Sequence, residues 1–325
     1  MASIKDVANK AGVGVGTVSR YLNETGYVSD EAREKITKAI SELNYTPNEL
    51  ARNLFKKRTG IVAILIPDLS HPFFCEFTKY CEIELYKHHY KTMVCNTIQE
   101  SDREKDYIDM LNRHIVDGII TGVHSLDMKE YLNLQHPILA LDRYIGDSIP
   151  IVGSNHQKGG MMAAQTFLQK GCRHVVQVRT SMKVPTPAHD RHTALHNYLS
   201  LNGVQVDTVE LAWNHFDFPY FAETAARILD QYPDMDGMFG SDFAAIAVLR
   251  EAMSRGYQIP RDIKIIAYDG TYITDTVYPS LTVIAQPIEQ LAKCSVESIL
   301  QMIAGQPLSQ NRLIFDVSLK PGQTT

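Results

Sequence analysis

The chain has 325 residues, of which 44% are hydrophobic, and carries 32 Lys and Arg against 37 Asp and Glu, a formal charge of −5. This apolar content supports a packed core in each of two or three domains and argues against bulk disorder. The five cysteines form no Cys-x-x-Cys pair and have no His at zinc-finger spacing, so neither a disulfide framework nor a metal site is expected. No apolar stretch has the length of a signal peptide or a bilayer span, which predicts a cytoplasmic protein without a membrane partner.

The charge is unevenly distributed along the chain. Residues 1–58 contain ten Lys and Arg and seven Asp and Glu, a net of +3, whereas the remainder contains 22 and 30, a net of −8. Such asymmetry indicates a nucleic-acid-binding segment attached to a part of another kind. A net charge of +3 on 58 residues is equally compatible with an ordinary protein surface. The local sequence pattern therefore has to distinguish the two interpretations.

Three short helices are predicted in the basic segment. Ser3 can cap the first helix, Gly12 suits the left-handed turn that ends it, and Ser29 can cap the third. The predicted apolar faces are Ile4, Val7, Ala8 and Ala11 in the first helix, Val15, Val18 and Leu22 in the second, and Ala32, Ile36, Ala39, Ile40 and Leu43 in the third. Two helices joined by a short Gly-containing turn form a helix-turn-helix unit, whose second helix lies in the major groove of DNA.

Residues 11–23, AGVGVGTVSRYLN, resemble the helix-turn-helix of the LacI/GalR family of bacterial transcription regulators. The resemblance extends to IKDVA at 4–8, to 28–36, and to LNYTPNELARNL at 43–54, which is similar to the family's hinge. Gly14 departs from the family, which usually has a capping Ser there. Because Gly caps less well than Ser by only about a few tenths of a kcal/mol, we expect the second helix to form.

The resemblance implies three regions. A helix-turn-helix domain is expected at 1–46, a hinge helix and linker at 47–59, and an effector-binding and dimerisation core at 60–325. The core would consist of an N-subdomain at about 60–155 and 288–315 and a C-subdomain at about 156–285 and 316–325.

The resemblance also implies the residues that bind a palindromic operator. They are Val15, Gly16, Thr17, Ser19, Arg20, Asn23, Tyr27 and Ser29 in the head, and Asn48, Ala51, Leu54 and Lys56 in the hinge. Arg20 is suited to the O6 and N7 atoms of guanine, and Val15 to a thymine methyl group. Leu54 would wedge into the minor groove when two hinge helices pair at the operator centre. Solvation of a helix surface is the competing interpretation for Thr17 and Ser19, and a solvated basic linker is the competing interpretation for Lys56.

From Gly60 onward, short apolar runs alternate with stretches of helical length. Strands are predicted at 61–66, 91–96, 118–121, 138–141, 174–178, 237–239, 263–267 and 281–285, with a last one at about 313–317. Helices are predicted at 73–88, 102–113, 159–170, 220–231, 244–254 and 288–303. This alternation indicates right-handed βαβ units and parallel sheets, and its length indicates two α/β subdomains. By resemblance they are similar to periplasmic sugar-binding proteins.

Ligands of open α/β sheets bind beyond the carboxyl ends of the strands, where this sequence places many polar side chains. Together with the resemblance, this predicts an effector site made of Ser70, His71, Phe73, Phe74, Asp142, Arg143, Asn155, Arg191, Trp213, Phe216, Asp242, Asp269 and Gln286. Carboxylates, an Arg and aromatic rings suit a sugar or sugar phosphate. A role in the core is an equally good interpretation of Phe73, Phe74 and Phe216, and Asn155 stands where relatives often have Asp.

A narrower resemblance concerns the sugar. Residues 90–96, 107–111 and 142–144 look like those of Gram-positive sucrose operon repressors, which makes sucrose, a fructose-containing oligosaccharide or a phosphorylated derivative the first ligands to test. No leucine-heptad tail follows the last strand, so a homodimer is expected. The sign of regulation stays open: we expect the sugar to release the operator, and a corepressor-dependent global carbon regulator is the alternative.

An enzyme is not expected. The sequence has no Walker A motif, no G-x-S-x-G elbow and no H-E-x-x-H, and neither a catalytic residue nor a cofactor is predicted. The pairs His88–His89 and His189–His192 lack a third partner at recognisable spacing. A sugar-binding or sugar-modifying α/β protein without DNA specificity remains the alternative from a different functional class.

Overall fold

A computed structural model describes residues 2–23, 25–46, 58–97, 101–123, 131, 136–146, 148–182, 186–212 and 215–325, with backbone only at 101 and 102. Two compact units are distinguished, Met1–Gly60 and Ile61–Thr325. Among the described residues, no helix is long and apolar enough to cross a membrane.

The described residues of the first unit form three helices, α1 (Ile4–Ala11), α2 (Val15–Asn23) and α3 (Asp30–Glu42). Ser3 and Asp6 form a reciprocal capping box at the start of α1, and Gly12 ends this helix in the left-handed region with φ 67°. The Ser29 side chain caps α3 by accepting a hydrogen bond from the backbone of Ala32. The predicted caps are therefore confirmed. The core of this unit consists of Val7, Ala8, Ala11, Val18, Val28, Ile36 and Ala39.

The apolar face predicted for α2 was partly wrong. Val18 is fully buried and Leu22 packs against the core, but Val15 is 41% exposed. Val15 is the first residue of its helix, where the chain has only begun to turn toward the core. The helix forms after Gly14 as expected, since the Gly14 carbonyl accepts the backbone N–H groups of Thr17 and Val18.

The second unit contains two six-stranded sheets. The first has the strand order β11-β5-β4-β3-β1-β2 and is parallel throughout. Its strands are β1 (Ile61–Ile66), β2 (Lys91–Asn96), β3 (Gly118–Thr121), β4 (Ile138–Leu141), β5 (Ile151–Ser154) and β11 (Arg312–Phe315). Helices α4 (Pro72–Lys87), α5 (Ser101–Asn112) and α10 (Ile288–Ile303) accompany it. Apolar clusters occupy both faces, which explains why β1 is a continuous apolar run.

The second sheet has the order β12-β10-β9-β8-β6-β7, with β12 antiparallel to β10. Its strands are β6 (His174–Arg179), β7 (Gln205–Glu210), β8 (Gly237–Ser241), β9 (Lys264–Asp269), β10 (Thr282–Ala285) and β12 (Ser318–Lys320). Its helices are α6 (His156–Gln169), α7 (Asp190–Leu201), α8 (Phe218–Gln231) and α9 (Asp242–Ser254). Short 3-10 turns lie at Pro187–His189 and Tyr272–Thr276.

The chain passes between the sheets three times, after β5, after β10 and after β11. The apolar run predicted as one last strand is therefore two strands, β11 in the first sheet and β12 in the second. The predicted strands also did not include β5 and β7, and the predicted helices did not include α7. Strand β7 and helix α7 have mixed polarity, because β7 is an edge strand and α7 carries the two histidines His192 and His196.

Candidate binding cleft

A cleft of about 140 Å³ lies where the carboxyl ends of the two sheets meet. Its lining comes from both sheets and from the crossovers between them. The lining residues are Pro67, His71, Phe73, Phe74, Gly122, Leu141, Asp142, His156, Thr180, Ser181, Thr186, Ala188, Arg191, Leu211, Ala212, His215, Phe216, Phe221, Ser241, Asp269 and Gln286. The location agrees with the rule that open α/β sheets bind ligands at these strand ends.

Two carboxylates in the cleft stand on unusual backbone. Asp142 follows β4 with φ 45°, and Asp269 ends β9 with φ 119°. Positive φ costs free energy in a non-glycine residue and is concentrated at functional sites. The Asp142 carboxylate accepts the backbone N–H of Ser154 at 3.0 Å, and a side chain at Gly153 would collide with it, since a Cβ there would lie 2.3 Å from Asp142 Oδ1.

The Arg191 guanidinium is held by neighbours on several sides. It stacks over the Tyr268 ring at 4.2 Å, and one of its terminal nitrogens lies 3.7 Å from Asp269 Oδ1. Its Nε donates to His192 Nε2 at 3.3 Å. Helix α6 can pass close to Arg191 because Gly160 has no side chain. A Cβ at position 160 would lie 2.0 Å from the Arg191 carbonyl oxygen, which is a steric clash. The cation is thus fixed beside Asp269.

The opposite side of the cleft is aromatic. The His71 ring lies 5.4 Å from Phe74 and 5.6 Å from Phe216, measured between ring centroids. Phe73 is 6% exposed and stacks on Phe77, so it belongs to the core as well as to the cleft lining. A ring wall facing carboxylates and a guanidinium offers both an apolar surface and directional hydrogen bonds, the combination that suits a polyhydroxyl ligand.

Three buried polar atoms in the lining form no hydrogen bond among the described residues. They are Nδ1 of His71, Oε1 of Gln286 and Nε2 of His156, the last of which lies 3.1 Å from Asp142 Oδ1. Gln286 is 8% exposed, and its amide nitrogen donates to Asp269 Oδ1 at 2.8 Å. Since buried polar groups in folded proteins are nearly always paired, these atoms indicate places where a ligand would complete the hydrogen bonding.

Burial keeps two histidines near the cleft neutral. Burial lowers the pKa of His71. Burial is also the main reason why the pKa of His192 lies well below its usual range, and the Arg191 cation is the second. The contacts of His192 agree, because its Nδ1 lies 3.0 Å from Gln177 Oε1 while Nε2 accepts from Arg191. An imidazolium would lose the second of these hydrogen bonds.

Most of the predicted effector residues line this cleft, namely His71, Phe73, Phe74, Asp142, Arg191, Phe216, Asp269 and Gln286. Their binding of an effector stays a prediction. Trp213 lies outside the described residues.

Four predicted effector residues are placed elsewhere. Ser70 is exposed, and its backbone N–H donates to Asp68. Arg143 is 3% exposed and binds the buried Glu104, the carbonyl of Val123 and the Tyr131 hydroxyl.

The remaining two act as local supports. Asn155 caps α6 and donates to Asp316 at the crossover between the sheets. Asp242 lies behind the cleft, where its carboxylate accepts hydrogen bonds from the backbone of Gly270 and from the backbone and hydroxyl of Thr271. Burial and the neighbouring Asp269 raise the pKa of Asp242 to about 8. It supports the turn that carries Asp269 rather than facing the cleft.

The sequence analysis overlooked several lining residues. Thr180 and Ser181 follow β6 directly, and His156 comes two residues after β5. The strand-end rule that found Asp142 would have found all three. Leu211 and Ala212 were missed because β7 itself was missed.

In the first unit, the predicted DNA-binding residues of α2 form part of an accessible surface. Val15 and Tyr27 are 41% and 84% exposed, and Gly16 is exposed as well. Arg20 is exposed with its Nε bonded to the Gly16 carbonyl, and the Asn23 amide donates to the Ser19 carbonyl. Thr17 is partly buried, and Ser29 is engaged as a helix cap. Asn48, Ala51, Leu54 and Lys56 lie outside the described residues.

Two family models match the chain. One describes bacterial regulatory proteins of the lacI family and matches residues 3–48, and the other describes a periplasmic binding protein-like domain and matches residues 164–325.

Individual proteins are similar over the whole length. The ribose operon repressor of Halalkalibacterium halodurans is 37% identical and the sucrose operon repressor of Streptococcus mutans 35%, each over 100% of this chain and over 97% and 99% of the relative. A solved LacI-type regulator from Alkaliphilus metalliredigens, complexed with D-xylulofuranose, is 29% identical with a TM-score of 0.74, covering 82% of this chain and 99% of that one.

Proposed function

Because the chain belongs to the LacI family of bacterial transcription regulators, we propose that it represses a carbohydrate-utilisation operon and leaves its palindromic operator when a sugar or sugar phosphate binds in the cleft. The family's members are regulators and not enzymes, and this protein is assigned the same role. The proposal depends on one observation: the same chain has a helix-turn-helix whose second helix is exposed and a cleft that contains buried polar atoms without hydrogen-bond partners among the described residues.

The proposal assigns residues 1–46 to operator reading, 47–59 to the hinge and 60–325 to effector binding and homodimerisation, with the protein acting in the cytoplasm. The similar ribose and sucrose operon repressors support a sugar effector. They support two different sugars about equally, so sucrose holds no advantage over ribose as the first candidate.

The geometry of the cleft supports a route by which a ligand would change the protein. The cleft lining comes from both sheets, so a sugar that contacts Asp142 on one side and Asp269 on the other binds best to one particular arrangement of the two subdomains. A ligand shifts a conformational equilibrium by its differential affinity for the two states. We propose that the sugar-bound arrangement disfavours pairing of the two hinge helices on DNA.

The test is a gel shift of the full-length protein on DNA upstream of its own operon, with and without sugars. We expect binding in the nanomolar range, and release when the correct sugar is added. Leu54→Ala is expected to lose most operator affinity while keeping the fold. Absence of sequence-specific binding would contradict the proposal and favour a sugar-binding protein without DNA specificity. Tighter DNA binding with sugar would reverse the sign and favour a corepressor mechanism.

A further inference from the structure

We infer that the effector held by this cleft is an unphosphorylated monosaccharide, not a sugar phosphate and not a disaccharide. The inference rests on the proposed function and narrows the ligand of the same site.

The charges of the lining argue against a phosphate. Among the described lining residues, Asp142 and Asp269 carry carboxylates and Arg191 carries the one guanidinium, so acids outnumber Lys and Arg. A phosphate monoester adds about −1.5 to −2 charges at neutral pH. In a cleft of low dielectric, the repulsion between this group and the carboxylates is strong.

Arg191 is already committed to other partners. Its guanidinium stacks on Tyr268, donates to His192 and lies 3.7 Å from Asp269 Oδ1. Proteins hold phosphate by directing Arg or Lys donors at its oxygens, often in bidentate geometry. Turning Arg191 toward a phosphate would take the cation away from Asp269, which is 5% exposed, and an unpaired buried carboxylate is costly.

Neither His71 nor the start of helix α4 replaces that cation. Burial lowers the pKa of His71, which favours its neutral form. Helix α4 begins at the cleft with Pro72, which has no N–H to offer an anion. This helix end therefore has less anion-binding capacity than the N-terminus of a phosphate-binding helix.

The size and the unpartnered atoms favour a small neutral sugar. The cleft holds about 140 Å³, below the ~300–1,000 Å³ of pockets that take drug-sized ligands. Carboxylates at Asp142 and Asp269 accept hydrogen bonds from hydroxyl groups, and a hydroxyl can also reach the unpartnered Oε1 of Gln286. A single sugar ring could pack against the rings of His71, Phe74 and Phe216 while its hydroxyl groups donate hydrogen bonds to these acceptors.

Isothermal titration calorimetry on the full-length protein tests the inference. The panel consists of D-ribose, D-fructose and D-xylulose, the 5-phosphates of ribose and xylulose, fructose 6-phosphate, sucrose and sucrose 6-phosphate. We expect at least one free monosaccharide to bind, and its phosphate and both disaccharides to bind at least about tenfold more weakly. Asp269→Asn should weaken the sugar by a similar factor. The matched control Asp275→Asn, an exposed acid in the turn that follows, should not.

The outcomes separate this inference from the proposed function. A sugar phosphate or disaccharide that binds more tightly than every free monosaccharide overturns the inference and leaves the repressor role intact. A protein that prefers a free monosaccharide but does not bind its upstream DNA keeps the inference about the cleft and loses the proposed function. If nothing in the panel binds, the inference and the sugar-responsive part of the proposed function both fail.

Discussion

The imidazole of His156 connects Asp142 to Tyr268, with Nε2 lying 3.1 Å from Asp142 Oδ1 and Nδ1 lying 2.8 Å from the Tyr268 hydroxyl. Asp142 follows a strand of the first sheet, and Tyr268 belongs to a strand of the second. His156 itself begins α6, directly after the chain crosses between the sheets. A cleft carboxylate of the first sheet is therefore linked through His156 to a tyrosine of the second sheet, at a point where the chain crosses between the sheets.

Tyr268→Phe removes one contact of this bridge and keeps the ring on which Arg191 stacks. Loss of the buried hydrogen bond should lower the free energy of unfolding by about 1 kcal/mol. It should also reduce the change in operator affinity that a sugar produces, because the link between the subdomains is weakened. Urea unfolding and gel shifts with and without sugar measure the two effects. Tyr272→Phe, at a side chain 56% exposed, is the control. Unchanged sugar response in Tyr268→Phe would show that the bridge does not transmit it.

Acidification should destabilise the core through His192. Its folded-state pKa lies well below the usual value because of burial first and Arg191 second. The unfolded state therefore binds more protons than the native state below pH ~6.5, and stability falls as pH falls. The loss approaches about 1.4 kcal/mol per pH unit while the native imidazole stays neutral.

Urea unfolding of His192→Gln against pH checks this prediction. The variant should be less stable at neutral pH, since it loses contacts with Arg191 and Gln177, but its stability should depend less on pH between about 5 and 6.5. His196→Gln, at an exposed position of the same helix, should keep the wild-type slope. Equal slopes in all three proteins would assign the acid sensitivity to other groups.

Helices and strands could be predicted from the sequence where apolar residues bury one face or both faces of the element. Strand β1 lies in the middle of a sheet covered on both faces, so its apolar run is unmistakable. Strand β7 is an edge strand with only partly buried residues in its interior, and its sequence QVDTVE has no comparable run. Helix α7 was overlooked for a similar reason: His192 is buried through hydrogen bonds to Gln177 and Arg191, which no apolar pattern reveals.

The predicted cleft residues show a comparable limit. Position after a strand correctly indicated Asp142 and Asp269, but the same rule also selected Arg143. Asp142 lines the cleft, whereas the next residue, Arg143, is buried against Glu104, Val123 and Tyr131. Asp142 takes its positive φ at this point of the chain. The position of a residue after a strand predicts that it lies at the carboxyl edge of the sheet. Whether its side chain then lines the cleft or is buried elsewhere depends on the tertiary structure.

Arg143→Met is therefore expected to act on stability and not on sugar contacts. Its guanidinium lies 2.9 Å from Glu104, whose side chain is fully buried. Removing one partner of a buried ion pair leaves an uncompensated charge and costs about 3–5 kcal/mol. Lys293→Met disrupts an exposed pair at 3.9 Å and should cost less than about 1 kcal/mol. Chemical denaturation measures both. A stable Arg143→Met protein that no longer binds sugar would restore Arg143 to the effector site.

Arg20→Met should weaken operator binding without unfolding the head. The Arg20 side chain is exposed on α2 with its Nε bonded to the Gly16 carbonyl, and Met has a similar helix propensity. A lost bidentate contact to guanine costs about 1–3 kcal/mol and relaxes discrimination at one base pair. Lys35→Gln is the matched control, because this exposed cation of α3 is paired with Glu31 at 2.7 Å. Gel shifts on operator DNA and on scrambled DNA distinguish a contact to a base from a contact to phosphate. An equal loss on both DNAs would mean that Arg20 binds phosphate and that bases are read by other residues of the recognition helix.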